Sequence, residues 1–466
     1  MSKEDFVLMP PGASLAERIS APLSSFQLEG VSDRAKEVAI NDLLDMAGLC
    51  VAARNSDYIR AIIDASDDTG TCTAIGHARG FDAAAAALIN GTATHGEDFD
   101  DTLEGAPIRV GAMVLPAVLA AAQRYRRSGA DTLKGIIAGL EMVCRFNTVV
   151  PGAIHKAGFH PVGIIGALGA TAGAGVALGL NAKQLTDAFG VAGSMASGIG
   201  EFLTEGAWTK RLHPGWAAQS GYRAALLGRS GFLGPRTVFE GPRNIFKVFS
   251  HGASPSYDHL AEGFGDRWLM ETIAFKPYAC GTMIHPFIDC MLRLRQTGLK
   301  AEDIVAIESE TGEGLVDRLW EPLAAKHRPP SGYAAKFSMP FCMAVAFFDG
   351  DAGLGQFTDE KAADPEVLQL AGKIRYVIDP ANEYPKNYTG HIRVTLSDGS
   401  VREFRQPHFR GGVREPLSRA QLISKFEGNI AFGGLSADYG HALRDFCINI
   451  AGFEDISRLS ALSSQG

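Results

Sequence analysis

Val162 to Leu180 runs for 19 residues without a charged side chain, and six of those residues are glycine. That length approaches what an α-helix needs to cross a bilayer. No second such segment follows, however, and glycine at this density suits a helix that other helices approach closely. The reading is a buried helix, and a chain that contains one must surround it with further helices. The same run holds Gly173-Ala174-Gly175 but lacks the third glycine and the preceding strand of a dinucleotide fingerprint, so no nucleotide site is read.

The first 270 residues supply those neighbours. Ser32 is placed to cap a helix from Asp33 to about Cys50, with Val38, Leu43, Met46 and Leu49 as its apolar positions. Further helices are expected over Gly80 to about Thr102, Ala112–Arg127, Asp131–Phe146, Ala182–Met195 and Pro214–Gly228. The texture changes near residue 270. Ile304–Glu310 and Ile374–Ile378 have strand composition, and His391–Leu396 with Val401–Phe404 flank Asp398-Gly399, a type I′ hairpin signal. Phe337–Phe348 reads as a short helix after Ser338, and helical character returns from Ser418. At 466 residues the chain exceeds what one core serves. The fold expected is mainly α: a large helical domain built from 1–270 and 405–466, with a smaller α+β lid domain, 271–404, inserted between them.

A formal net charge of −8 gives no basic footprint, so nucleic acid is not an expected partner. The start, Met1 to Phe6, lacks a signal-peptide pattern. Seven widely spaced cysteines without a Cys-x-x-Cys pair suggest neither a disulfide framework nor a zinc knuckle. A cytoplasmic protein without a membrane segment is expected.

Four polar clusters stand out. His95-Gly96-Glu97-Asp98-Phe99-Asp100-Asp101-Thr102 ends an alanine-rich helix with carboxylates, which the helix dipole disfavours there. On a continuing helix, His95, Asp98 and Thr102 share one face. His160 directly precedes the uncharged run. Lys210, Arg211 and His213 stand ahead of Pro214, which fits a first helical turn. Lys276-Pro277-Tyr278 leads to His285 at the junction of the two textures. Each has an ordinary structural reading. Together, Arg109, Lys210, Arg211 and Lys276 suit the carboxylates of a small acid, while Asp98, His160, Lys210 and Tyr278 are residue types that move protons. Without a His-x-x-x-His pairing, no metal is expected, although Asp98, Asp100 and Asp101 invite a magnesium reading.

In order and spacing these blocks, with Lys336-Phe337-Ser338, Pro416-Leu417-Ser418 and Lys425-Phe426, resemble the 2-methylcitrate dehydratase (MmgE/PrpD) family. That family also includes cis-aconitate decarboxylase and iminodisuccinate epimerase. The resemblance spans about Asp33 to Gly452. It implies a homodimer, no organic cofactor and an active site between the helical domain and the lid. It places Asp98, Thr102, His160, Lys210 and Lys276 at active-site positions. Two departures matter. Members that dehydrate or decarboxylate follow Asp-Asp-Thr with a histidine and then a His-Pro-Ser, where this chain has Leu103-Glu104 and Ile108-Arg109-Val110. The Lys276 block continues as Cys280-Gly281-Thr282-Met283, where relatives often carry an arginine or a histidine.

Loss of that histidine removes a natural acid for a leaving hydroxyl. The chemistry expected is therefore epimerisation of a polycarboxylate such as iminodisuccinate, by proton abstraction and return beside a carboxylate. Lys210 and His160 are expected as the proton-transfer pair, and Asp98 orients His160 or acts as the base. Arg109, Arg211 and Lys276 are expected on carboxylates, with Thr102 and Tyr278 as hydrogen-bonding groups. The alternatives are a 2-methylcitrate dehydratase-like hydro-lyase and a carboxylate-binding protein without catalysis.

Overall fold

The computed structural model describes residues 12–463 apart from 68, 105 and 107; the start from Met1 to Phe6 lies outside the described residues. The uncharged run forms the helix Pro161–Ala177, and every residue in it is buried. The helices Gly111–Arg124, Gly129–Asn147, Ala182–Met195 and Thr209–Arg229 pack around it. Small residues permit the approach: a Cβ at Gly221 would stand 2.7 Å from the Thr171 backbone nitrogen. Among the described residues no helix is long and apolar enough to cross a membrane.

The protein is mainly α with a small sheet region. One hydrophobic cluster runs from Ala16 to Phe275 and resumes from Leu422 to Leu459. The chain closes this circuit by laying Arg419–Phe432 and Ala437–Ile448 on the helix Asp33–Ala53. Ser32 caps its helix as expected, and Ser418, where helical character returns, caps the next; they accept from the backbone N–H groups of Ala35 and Gln421. A second cluster spans Tyr278 to Leu396 and borrows Leu49, Ala52 and Phe99 from the helical part. It contains a four-stranded sheet in the order Ile374–Ile378, Ile304–Thr311, Gly390–Leu396, Val401–Gln406. The first pair is parallel and the other two are antiparallel.

Three local expectations are corrected. The helix expected over Gly80–Thr102 is Ala83–Gly96, capped by Asp82, whose carboxylate accepts from Ala84 and Ala85. The acidic run lies beyond its end, so His95, Asp98 and Thr102 do not share a helical face. Asp98 has φ 54°, and Thr102–Leu103 is instead a short strand paired with Ile273–Ala274. Second, the helix expected from Pro214 begins at Thr209, which puts Lys210 and Arg211 in its first turn and Pro214 inside it. Third, the hairpin turn is not type I′. That turn needs two residues with φ > 0, and of Asp398 and Gly399 only Gly399 has one, at 81°. The Leu396 N–H donates to Ser400 O, which encloses a three-residue loop.

The Lys210 helix owes its position to Gly215, where an added Cβ would press on the Leu88 carbonyl and the Thr92 hydroxyl. Gly215→Ala is expected to cost about 1–3 kcal/mol in urea unfolding, in the range of overpacked sites. Gly428→Ala, where an added Cβ meets nothing within 4 Å, is expected to gain up to about 1 kcal/mol from helix propensity. Equal stabilities would contradict the packing account.

Candidate active site

The site begins where the Ala83–Gly96 helix stops. A Cβ at Gly96 would collide with the Tyr58 ring, and Glu97 then accepts from the Tyr58 hydroxyl at 2.9 Å. Lys336 donates to the Glu97 carbonyl at 2.7 Å and to its carboxylate at 2.6 Å. Lys276 donates to the Asp98 carbonyl at 2.5 Å, and Lys425 to the Phe99 carbonyl at 2.7 Å. Three lysines from three distant segments thus satisfy three consecutive carbonyls where the helix dipole is negative. The strand pair Thr102↔Ala274 brings the Lys276 segment alongside.

The Asp98 side chain turns the other way. Its oxygens lie 2.5 and 2.6 Å from Lys210 Nζ, and the Tyr333 hydroxyl donates to it at 2.8 Å. Arg109 NH2 stands 3.9 Å from it, while another Arg109 nitrogen donates to the Thr102 hydroxyl at 2.8 Å. Asp100 accepts from His95 Nδ1 at 2.8 Å and faces Arg109 Nε at 3.4 Å. Asp101 accepts from the N–H groups of Val110 and Gly111 at 2.8 and 3.0 Å, anchoring the next helix. His160 joins from the far side, its ring 6.0 Å from that of His95, with Nδ1 2.9 Å from Nδ1 of His213.

Charge and burial set the protonation pattern. Burial would raise the Asp98 carboxyl, but Lys210, His95, Lys276 and Arg109 together hold it well below the usual range. Burial pulls Lys210 down, and Arg109 and Arg318 add to that, against the opposing pull of Asp98. Lys276, fully buried, is brought to about 7 by burial and by Arg109, against Asp98 and Asp100. His160 falls well below its ordinary value through burial and the nearness of His95 and His213. Burial and Asp100 push Asp101 up to about 7. A carboxylate, two lysines of lowered basicity and an arginine in a dry setting make a site for an anion whose charge grows during reaction.

Asp98, Thr102, Arg109, His160, Lys210 and Lys276 are therefore brought together. Arg211 stands beside them, its guanidinium stacked between the rings of Tyr58 and Tyr333 at 4.5 and 4.1 Å. Tyr278 is not brought to the cluster. Its hydroxyl donates to Asp289 at 2.6 Å and accepts from Arg410 at 2.5 Å, facing a separate cavity of about 520 Å³ with Lys425 and Phe99. Sequence reasoning passed over His95 as a site residue, and also Tyr333, Lys336 and Lys425. Tyr333 and Lys336 sit three apart on a short helical turn just before Ser338, a spacing that signals a shared face. Among the described residues no group of three His, Cys, Asp or Glu side chains is disposed to hold a metal ion.

Residues 17–258 match the MmgE/PrpD N-terminal domain, and residues 278–438 match the MmgE/PrpD C-terminal domain. The chain is 26% identical over 464 residues to cis-aconitate decarboxylase of Aspergillus terreus, covering 93% of this chain and 91% of that protein. Identity to the Homo sapiens cis-aconitate decarboxylase is 30% over 389 residues, covering 81% and 78% of the two chains. The Mus musculus enzyme of the same name is 29% identical over 394 residues, again 81% and 78%.

Lys276 offers a test of this electrostatic arrangement. A free lysine titrates near 10.4, so between pH 7 and pH 10 the unfolded chain holds more protons at this residue than the folded one, and stability rises with pH. Urea unfolding is expected to show wild type gaining on the order of 1 kcal/mol per pH unit over Lys276→Met from pH 7 to 9. A pH-independent difference between the two would contradict a lysine titrating near 7.

Proposed function

The chain belongs to the MmgE/PrpD family, and from that premise we propose that it is an enzyme that epimerises a small polycarboxylic acid of the iminodisuccinate type. The reaction removes a proton from a carbon next to a carboxylate and returns one to the opposite face, without a cofactor. The observation that carries this reading is the convergence of Lys210 and Arg109 on the buried Asp98 carboxylate, with Lys276 on the carbonyl of the same residue. A C–H bond next to a carboxylate is a weak acid, and loss of its proton places charge on the carboxylate oxygens. Preorganised cations in a water-poor site stabilise that charge.

Lys210, made less basic by burial, takes the proton on one side. The electron pair of the broken C–H bond moves onto the carboxylate oxygens, held by Arg109 and Lys276. His160 supplies a proton on the other side, and the pair returns to carbon. Thr102 orients Arg109 through its hydroxyl. The segment after Thr102 favours epimerisation over loss of water. Its Glu104 carboxylate pairs with Arg414 at 3.0 Å, and Arg109 offers a guanidinium, which stays charged and is no acid for a leaving hydroxyl.

The relatives support a second reading, since those named above are cis-aconitate decarboxylases. Decarboxylation breaks a C–C bond, leaves the electron pair on carbon and needs the same proton delivery. Purified protein incubated in heavy water with single stereoisomers of iminodisuccinate, with cis-aconitate and with 2-methylcitrate separates the readings. Deuterium entering the α-position with inversion is the expected result. Carbon dioxide release from cis-aconitate supports decarboxylation, an unsaturated product from 2-methylcitrate supports a hydro-lyase, and thermal stabilisation without turnover supports binding alone. Lys210→Ala is expected to lower isotope exchange by about 100-fold or more, the scale of a lost general base, while the protein remains folded. Undiminished exchange would remove Lys210 from that role.

A further inference from the structure

His160 and His213 meet through the same atom type, Nδ1 to Nδ1, at 2.9 Å. A contact that short between two ring nitrogens requires one proton between them, so one ring donates and the other accepts. Both rings are nine-tenths buried. Burial and His95 bring His213 down to about 4, and His160 is lowered too, so near neutral pH the pair consists of two uncharged imidazoles in opposite tautomers. The backbone holds this geometry. The His160 N–H donates to the Gly198 carbonyl at 2.9 Å, and Gly198 lies so close to the His213 ring that an added Cβ would be 3.3 Å from it. Phe202 closes the arrangement, its ring 5.2 Å from His160 and 5.8 Å from His213. Beyond Phe202 lies a surface cleft of about 350 Å³ lined by His155, Phe159, Glu201 and Leu203. On the inner side His160 faces His95, 6.0 Å away between ring centres.

We propose that His213 is the outer half of a two-imidazole relay that exchanges the proton handled by His160 with solvent. This rests on the proton-transfer reading of the Asp98 cluster. His160 starts with its proton on Nδ1, and His213 with its proton on Nε2. A proton arriving at His160 Nε2 is matched by transfer of the Nδ1 proton to His213 Nδ1 and release of the His213 Nε2 proton to water. No proton is gained or lost by the pair. When the three transfers are concerted, neither buried ring has to stand as an imidazolium, which the surrounding cations would oppose. Afterwards His160 carries its proton on Nε2, and His213 Nε2 is free to accept one from water. The relay is then set to run in reverse and deliver a solvent-derived proton to a carbanion. His213 acts through His160 and is a positioning residue; it is His160 that touches the reacting groups.

The tautomers are read without substrate by nitrogen-15 NMR of the histidine-labelled full chain. One ring protonated on Nδ1 and its partner on Nε2, with coupling across the Nδ1···Nδ1 hydrogen bond that disappears in His213→Gln, is the expected result. Two rings both protonated on Nε2 would overturn the proposal. The second measurement uses iminodisuccinate deuterated at the α-carbon, in ordinary water. Wild type is expected to release product in which protium has replaced deuterium at nearly every turnover. His213→Gln keeps a hydrogen-bonding side chain against His160 but cannot relay, so His160 is no longer reset from solvent between turnovers and the rate is expected to fall about tenfold or more. His213→Phe, which fills the space without a polar atom, is expected to behave in the same way. Wild-type rates in both variants would overturn the relay. Should wild type leave iminodisuccinate unchanged, the epimerase reading falls, while the tautomer measurement still decides the relay.

Discussion

Three buried lysine amines on three successive carbonyls hold the turn after Gly96 in place. Lys336 follows the short helix Gly332–Ala335, Lys276 follows the strand Ile273–Ala274, and Lys425 lies in the helix Arg419–Phe432; they meet Glu97, Asp98 and Phe99. A buried lysine is costly unless its donors are used, so each of these contacts ties a remote segment to one turn of chain. Together they offset the unfavourable position of four carboxylates past a helix C-terminus. They also hold Asp98 in the left-handed backbone region, which costs an L-residue roughly 1–2 kcal/mol.

That turn separates two sets of charges. The carbonyls face the structural lysines, while the Asp98 carboxylate faces Lys210, Tyr333 and Arg109. Asp101 is drawn into anchoring a helix and Asp100 into orienting His95. Lys276 belongs to both sets: it secures a carbonyl, yet burial and Arg109 bring its amine down to about 7. A site built this way changes protonation when an anion enters, because an added negative charge favours the ammonium form of every nearby lysine.

Much of the layout was legible from pattern alone. The uncharged glycine-rich run had to be buried, a serine ahead of apolar periodicity marked a helix start at Ser32, and helical character returned at Ser418. The strand pattern after residue 300 was equally plain. What escaped the sequence was decided by partners far along the chain. The end of the helix at Gly96 depends on Tyr58 and Lys336, and nothing within the local sequence signals either. The first turn at Thr209 precedes a proline that by itself reads as a helix start. Tyr278 lies two residues from Lys276, yet Asp289 and Arg410 draw its hydroxyl to another cavity. Family resemblance marked Asp98, His160, Lys210 and Lys276, but the tie between His160 and His213 became apparent only in three dimensions.

A polycarboxylate entering beside Lys210, Lys276 and Arg109 favours the ammonium form of the lysines and so draws protons from solvent. Calorimetric titration of the protein with propane-1,2,3-tricarboxylate, a non-reacting polycarboxylate, in buffers of differing ionisation enthalpy measures the protons exchanged on binding. At pH 8, where Lys276 is mostly neutral given a value of about 7, the account predicts net proton uptake that disappears in Lys276→Met. Binding with no proton exchange in wild type, or uptake that persists unchanged in the variant, would contradict it.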